Sequence, residues 1–352
     1  MPRKSASTGG TAQQEKTRLL QAALAFLLDT PWIWMSNEDV FAVEDPISRQ
    51  TGYCSIMGCG GEEFGLLVFL GERGWERLRA VHEGAYPEDR ETNLMTPLLS
   101  FSLTRYEDLQ PNDLKFLRET GLHARAGDPV PFFRSQRPGY APWRLDPAEI
   151  VFLTAALREA RVVASKSLQR KVDTMYKPGQ VKVLTRCLKA GHWVDEWRNL
   201  PGKAEVKAGA LSNVQTMRLR MLDALVGRKS GTWEADFYLI SLPVGEEGEP
   251  PYFPFCIMLV DSLSGQVDGA ELIEPWISHD QQRDHLIQLL EKARRLPAVI
   301  RYQSESTRRL LLPVAEALGI RLEMGVLPNL MEAKYSFESA LGGGTGRRPK
   351  RP

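Results

Sequence analysis

Residues 232–272, TWEADFYLISLPVGEEGEPPYFPFCIMLVDSLSGQVDGAEL, carry the pattern of three consecutive antiparallel strands, and the order of everything after them depends on it. In the first strand Trp233, Ala235, Phe237 and Leu239 alternate with Glu234, Asp236, Tyr238 and Ile240, the period of two that a pleated strand imposes. Two carboxylates therefore share one face. Gly245, Gly248 and the Pro250-Pro251 pair close that strand. The run Phe253 to Val260 is apolar almost throughout, as a strand covered on both faces requires, and is expected at the centre of the sheet. A polar turn from Asp261 to Gly265 returns the chain into a third strand, Gln266 to Ile273.

Beyond this stretch helix and strand alternate. Ser278 and Gln281 form a capping box for a helix with Leu286, Leu289, Leu290 and Ala293 inside. Pro297 separates it from the strand Ala298 to Tyr302. Ser304 caps a further helix, buried through Leu311, Val314, Ala315 and Leu318 and ended by Gly319 in the left-handed conformation. A short strand, Ile320 to Met324, precedes a last helix from Asn329 to Ala340. His279, Asp280, Asp284 and His285 invite a metal site. On a helix, however, the two acids share a face that the histidines leave, so solvated first-turn groups are expected.

Towards the N-terminus, residues 1–14 are polar and glycine-rich and read as a tail. Leu19, Leu20, Ala23, Leu27 and Leu28 follow helical spacing up to Pro31. A meander follows, with strands Asp39–Glu44, Tyr53–Met57 and Phe64–Leu70, a helix from about Arg73 to Val81, and a further strand from Leu98. The glycines of Gly58-Cys-Gly-Gly61 join strand to strand, whereas a phosphate loop joins strand to helix, so a hairpin turn is expected. Asn112 is expected to cap a helix that Gly121 ends. Residues 132–143, FFRSQRPGYAPW, read as an aromatic and proline-rich loop in which Arg134, Arg137 and Trp143 are binding candidates. The plainer reading is a loop pinned by its rings. Asp146-Pro147-Ala-Glu149 starts a long helix with Ile150, Leu153, Leu157, Ala160, Ala164 and Leu168 on one stripe. A hairpin, Gln180–Leu188 with His192–Asn199, carries Trp193 and Trp197, and a helix Val214–Leu225 carries Arg218 and Arg220.

The formal charge of +1 over 352 residues conceals a division. Residues 157–230 hold 16 Lys and Arg against 6 Asp and Glu, which leaves the flanks acidic. Trp193, Trp197, Arg218 and Arg220 in this basic segment are candidates for contacting an anion; a solvated helix face is the competing reading. Four cysteines without CxxC spacing argue against a zinc ribbon or a disulfide framework and for a cytoplasmic protein. The apolar run Leu19–Leu28 is too short to cross a membrane. Length and composition suggest a tail (1–14), an N-terminal α+β domain (15–145), a basic connector (146–230), a C-terminal α/β domain (231–340) and a basic tail (341–352).

The C-terminal order βββαβαβα resembles the ribonuclease H-like fold of transposases, integrases and many nucleases, a mixed sheet with helices on both faces. That resemblance implies an acid in the first strand, another after the fourth, and a third on the final helix, holding magnesium or manganese. Asp236 suits the first role and Glu332 the third, but Gln303 follows the fourth strand. The whole chain also resembles a two-part family of uncharacterised bacterial proteins of unknown function. The N-terminal resemblance rests on Trp32, Asp39-Val-Phe41, Tyr53-Cys-Ser-Ile-Met-Gly58, Phe64-Gly65 and Pro138-Gly-Tyr-Ala-Pro-Trp143. The C-terminal one rests on Gly231-Thr-Trp233, Pro251-Tyr-Phe-Pro254, Asp261-Ser-Leu-Ser-Gly265 and Leu327-Pro328. The function expected is a non-catalytic binding or scaffold protein, without cofactor, whose basic middle meets nucleic acid or an acidic protein surface. The alternative is a degenerate ribonuclease H-like nuclease or phosphodiesterase using magnesium or manganese through Asp236 and Glu332.

Overall fold

The computed structural model describes residues 7–84, 90–202 and 209–342. The chain divides into two compact units, Met1–Pro138 with Pro142–Ala204, and Gly139–Ala141 with Glu205–Pro352.

The first unit contains α1 (Ser7–Asp29), β1 (Val40–Glu44), β2 (Thr51–Met57), β3 (Gly65–Leu70), α2 (Gly71–His82), α3 (Arg90–Leu94), β4 (Leu98–Arg105), α4 (Pro111–Thr120), β5 (Pro129–Gln136), α5 (Pro147–Leu168), β6 (Lys182–Lys189) and β7 (His192–Asn199). Among the described residues these strands make a seven-stranded sheet in the order β5-β4-β3-β2-β1-β6-β7. The meander β1 to β5 is antiparallel throughout, and the β6–β7 hairpin joins it by a parallel pairing of β6 with β1. Helix α5 makes the crossover from the β5 edge that this parallel pairing demands.

The alternation of side chains explains the layers. Phe41 and Val43 of β1 face the cluster built with α1 and α5, while Val40 and Ala42 face Trp75 and Leu78 of α2. Because β1 is covered on both faces, all five of its residues are buried. Helix α5 is buried well beyond the expected stripe, for it lies between α1 and the sheet. Ala156, Ala160 and Ala164 are small enough to let the helices approach. Asp146 caps its start as expected, and Glu149 returns the bond, at 2.8 and 2.7 Å.

The second unit contains α6 (Asn213–Val226), β8 (Thr232–Leu239), β9 (Phe255–Asp261), β10 (Val267–Ile273), α7 (His279–Ala293), β11 (Val299–Tyr302), α8 (Glu305–Leu318), β12 (Arg321–Met324) and α9 (Pro328–Gly342). Its sheet runs β10-β9-β8-β11-β12, with β8, β11 and β12 mutually parallel and β9 antiparallel to both neighbours. This order and these directions are the ribonuclease H-like arrangement. Tyr238, Cys256, Met258 and Val260 face Leu327 and Leu330, so α9 covers one side. Gly269 pairs with Leu259 on the opposite side, where a Cβ would stand 3.1 Å from Leu289 of α7. Helices therefore lie on both faces.

Five expectations change. The apolar strand β9, expected at the centre of its sheet, lies one place from it, since β8 takes the middle between β9 and β11. Ser7–Gln14, expected as tail, are helical, an extension of α1. The aromatic loop begins as a strand: residues 129–136 form β5, whose prolines are tolerated because it is the sheet's edge. The cap of α4 is Gln110, not Asn112, since Pro111 takes the first helical position. Residues 146–230 are divided between the units rather than forming a connector. Helix α5 and the β6–β7 hairpin complete the first unit, and α6 belongs to the second. The basic tail from residue 343, residues 1–6 of the expected N-terminal tail and residues 203–208 of the expected connector lie outside the described residues.

Candidate functional site

The two carboxylates that β8 presents on one face are both committed to α9. Glu234 is 1% exposed. Its Oε2 accepts the backbone N–H of Leu330 at 2.8 Å, and its Oε1 accepts from the Asn329 side chain at 3.3 Å. These are first-turn residues of α9, whose backbone N–H groups have no partner within the helix, so Glu234 satisfies that of Leu330 and favours the positive end of the helix dipole. Asp236, one strand period further on, accepts the ammonium of Lys334 on Oδ2 and the hydroxyl of Thr307 on Oδ1, the latter at 2.6 Å. Two strand residues advance about 6.8 Å and the four helix residues from Leu330 to Lys334 about 6 Å, so the two ties stay in register along one helix.

The surroundings of Asp236 reinforce that pairing. Lys334 Nζ lies 3.7 Å from the centre of the Tyr238 ring, a cation held against an aromatic face. Burial raises the Tyr238 hydroxyl above its ordinary range and pushes the Cys256 thiol up to about 11, so both are neutral at neutral pH. Thr307 also accepts the backbone N–H of Phe237 at 3.0 Å. The paired register of β11 with β8 ends at Glu234, and the first turn of α8 thus supplies the hydrogen bond that the ladder no longer provides.

Glu332 is exposed, on the side of α9 away from the sheet. The sheet-facing positions are Leu330, Ala333, Lys334 and Phe337, and Glu332 is about 200° around the helix from both Leu330 and Lys334. The expected catalytic pair is therefore not brought together. With an ammonium on Asp236, Gln303 after β11 and Glu332 turned outward, the residues present do not fit a divalent cation. Among the described residues no group of three His, Cys, Asp or Glu side chains is arranged to hold a metal. In α7, Asp284 accepts from Gln215 at 3.0 Å, His279 meets Gln282 and His285 meets Glu271, each at 2.9 Å. Lys334 and Thr307 were missed in the sequence. The available signal was a lysine on the apolar stripe of the last helix, four residues after Leu330.

The binding candidates also have internal partners. Arg134 makes a two-pronged pair with Asp113 at 2.8 and 2.7 Å and stacks 3.7 Å over the Phe132 ring. It stands on the wall of a cavity of about 1040 Å³ in the first unit. Arg137 bonds to Asp146 and Glu149 at the start of α5, and Trp143 bridges Ser135 as an isolated strand pair. Trp193 packs against the main core, whereas Trp197 is 53% exposed. Arg218 holds Glu291 at 2.9 and 2.7 Å, and Arg220 is exposed.

The basic segment is in large part answered by acids. Arg161 pairs with Asp29, Arg186 with Glu159 and Asp195, Arg198 with Glu44, and Arg218 with Glu291. Asp29, Glu44 and Glu291 come from the acidic flanks, so chain folding brings together charges that lie apart in sequence.

No helix among the described residues is long and apolar enough to cross a membrane. Among solved structures, the catalytic domain of Mos1 mariner transposase is similar at 15% identity, over 39% of this chain and 74% of that one, with a TM-score of 0.24. The Mos1 paired-end complex with Mn is similar at 14% identity, over 42% and 53%, with a TM-score of 0.23. A chain of the simian T-cell lymphotropic virus intasome in complex with PP2A regulatory subunit B56 gamma is similar at 12% identity and a TM-score of 0.23. That match covers 33% of this chain and 43% of that one, so this chain spans less than half of its length. Overlaps this small add nothing to the strand order, which rests on the pairing itself. No curated protein matches the chain. Residues 17–186 match the family model of a domain of unknown function, DUF7309, and residues 218–338 match that of another, DUF6930. The two matches follow one another along the chain and together cover most of it, in keeping with a two-part layout.

Proposed function

We propose that this protein acts by binding an anionic partner rather than by cleaving one, with the ribonuclease H-like unit as a platform. The observation that carries this reading is the Asp236–Lys334 pair: the acid that a metal-dependent phosphodiesterase would need is spent on holding the last helix. Support for an anionic partner is narrower than the +10 excess of residues 157–230 suggests, because many of those cations are paired within the chain. It rests on α6 and the turn after it, where Arg220 and Arg228 are exposed and Arg220 stands on α6 within one turn of the exposed Met217 and Met221. Cations beside apolar side chains suit an acidic protein surface better than a bare phosphate backbone.

The experiment has two arms. Labelled single- and double-stranded oligonucleotides are incubated with magnesium or manganese and the wild-type or Asp236→Asn protein, and equal background in both is expected. Cleavage that Asp236→Asn abolishes would overturn the proposal. In the second arm, fluorescence anisotropy follows an acidic amphipathic peptide and the same oligonucleotides at low and high salt. The peptide is expected to bind more weakly to Arg220→Glu/Arg228→Glu. Failure of every anionic probe to bind at low salt would remove the anionic-partner reading.

A further inference from the structure

Helix α4 forms one wall of the cavity in the first unit, and an ion pair stands near each of its ends. At the N-terminal end Asp113 is matched one to one by Arg134, both side chains more than four-fifths buried. Six residues further, about 9 Å along the helix axis, Glu119 is shared by two lysines. Lys16 of α1 lies at 2.5 Å and Lys115 at 3.9 Å. Glu15, which also lines the cavity, is held by Arg18 at 2.5 Å, so this end carries a surplus positive charge, and Lys115, 68% exposed, is the cation with the weaker hold on the shared acid Glu119. Between the two pairs the wall is apolar: Phe116 from α4, Phe132 and Phe133 from β5, and Ile150 and Val151 from α5. A volume of about 1040 Å³ matches the clefts that enclose small organic ligands.

We infer that this cavity is a binding site for a small amphipathic carboxylate, its apolar body against Phe116, Phe132 and Val151 and its carboxylate at Lys115 and Lys16. The ion pair at the Asp113 end is internally neutral and fully engaged: the Arg134 guanidinium also donates to the Phe133 carbonyl at 2.8 Å. A charged headgroup there would have to break a buried pair, which is costly. At the Glu119 end it meets one cation more than the acid can satisfy. The stacked Arg134–Phe132 wall accepts either an alkyl chain or a flat ring, so the shared chemistry is an apolar body bearing one anionic group.

The test is calorimetric titration of the full chain with octanoate, 1-naphthoate, and 1-octanol as the uncharged control. Saturable one-to-one binding of at least one carboxylate is expected, with 1-octanol at least tenfold weaker. Lys115→Glu, an exposed change that leaves the fold intact, is expected to weaken the carboxylate at least tenfold, and Val151→Trp to abolish binding by filling the space. Circular dichroism checks that both variants are folded. Saturable binding of octanoate alone marks an alkyl ligand, and of naphthoate alone an aromatic one; either supports the site. The inference is overturned if no carboxylate binds saturably, if 1-octanol binds as tightly as octanoate, or if Lys115→Glu binds as the wild type does.

Discussion

Replacing Lys334 by methionine tests the central assignment, because the sign of the result separates a structural tie from a metal site. The change keeps the length and apolar stem of the side chain and removes the charge that Asp236 faces. The side chains of Asp236 and Lys334 are 12% and 24% exposed. Breaking a pair buried to this degree costs about 3–5 kcal/mol, and the hydrogen bond from Thr307 that remains on Asp236 lowers this to about 2–3 kcal/mol. Loss of the contact with the Tyr238 ring adds about 0.5–1 kcal/mol. For a unit of this size the melting temperature should fall by about 5–10 °C. Asp236→Asn should also destabilise, and the double variant should lose about 1–2 kcal/mol less than the two changes added together. Urea unfolding of the four proteins, followed by tryptophan fluorescence and far-ultraviolet dichroism, gives the cycle. In a cluster of acids awaiting a cation, Asp236→Asn would relieve repulsion and raise the stability of the metal-free protein. A rise, or strict additivity, would refute the tie.

Three further outcomes are expected. Arg186 and Glu159 are 7% and 8% exposed and 2.7 Å apart, so Arg186→Met strands a buried acid and should cost about 3–5 kcal/mol; Arg186→Met/Glu159→Leu should recover most of it in the same unfolding assay. A Cβ at Gly65 would stand 2.0 Å from the carbonyl oxygen of Phe101 on the neighbouring strand, whereas one at Gly60 meets nothing within 4 Å. Gly65→Ala should cost about 2–3 kcal/mol by thermal unfolding, and Gly60→Ala about 0.5 kcal/mol or less. The Glu291 carboxyl is held below its ordinary value of 4.5 by the hydrogen bond from Arg218, and Glu119 likewise by Lys16. A depressed folded value contributes stability that is present above the ordinary value and lost as pH falls through the depressed one. The stability gap between wild type and Arg218→Gln, measured at about pH 7 and about pH 3, should therefore shrink on acidification; a gap that widens would contradict the pairing.

Much of the fold was legible because it rests on local rules. The caps at Asp146 and Ser278, the left-handed stop at Gly319 and the strand read around residues 233–239 each depend on neighbouring residues alone, and each is present. The first residues of the 132–143 stretch were read as loop because Pro138 and Pro142 mark it as irregular, whereas β5 reaches Gln136 as the edge strand beside β4, and edge position is a property of the whole sheet. The division of residues 146–230 escaped for a related reason. Composition marks the segment as one basic stretch, but α5 is claimed by α1 and the first sheet, while α6 belongs with α7 and α8.

By itself the amino-acid order determined the strand–helix succession of the C-terminal half, and hence its ribonuclease H-like arrangement. Periodicity, caps and turn residues act over a few positions, and chain order then limits how the strands can pair. What Asp236 does was decided only in three dimensions. Its partner lies 98 residues further on, and whether that partner is an acid, a metal or a lysine depends on which face α9 turns to the sheet. The charge of the basic middle is the same case. An excess of cations over 74 residues describes a stretch of chain, while a binding surface depends on which cations remain once Asp29, Glu44 and Glu291 have folded against them.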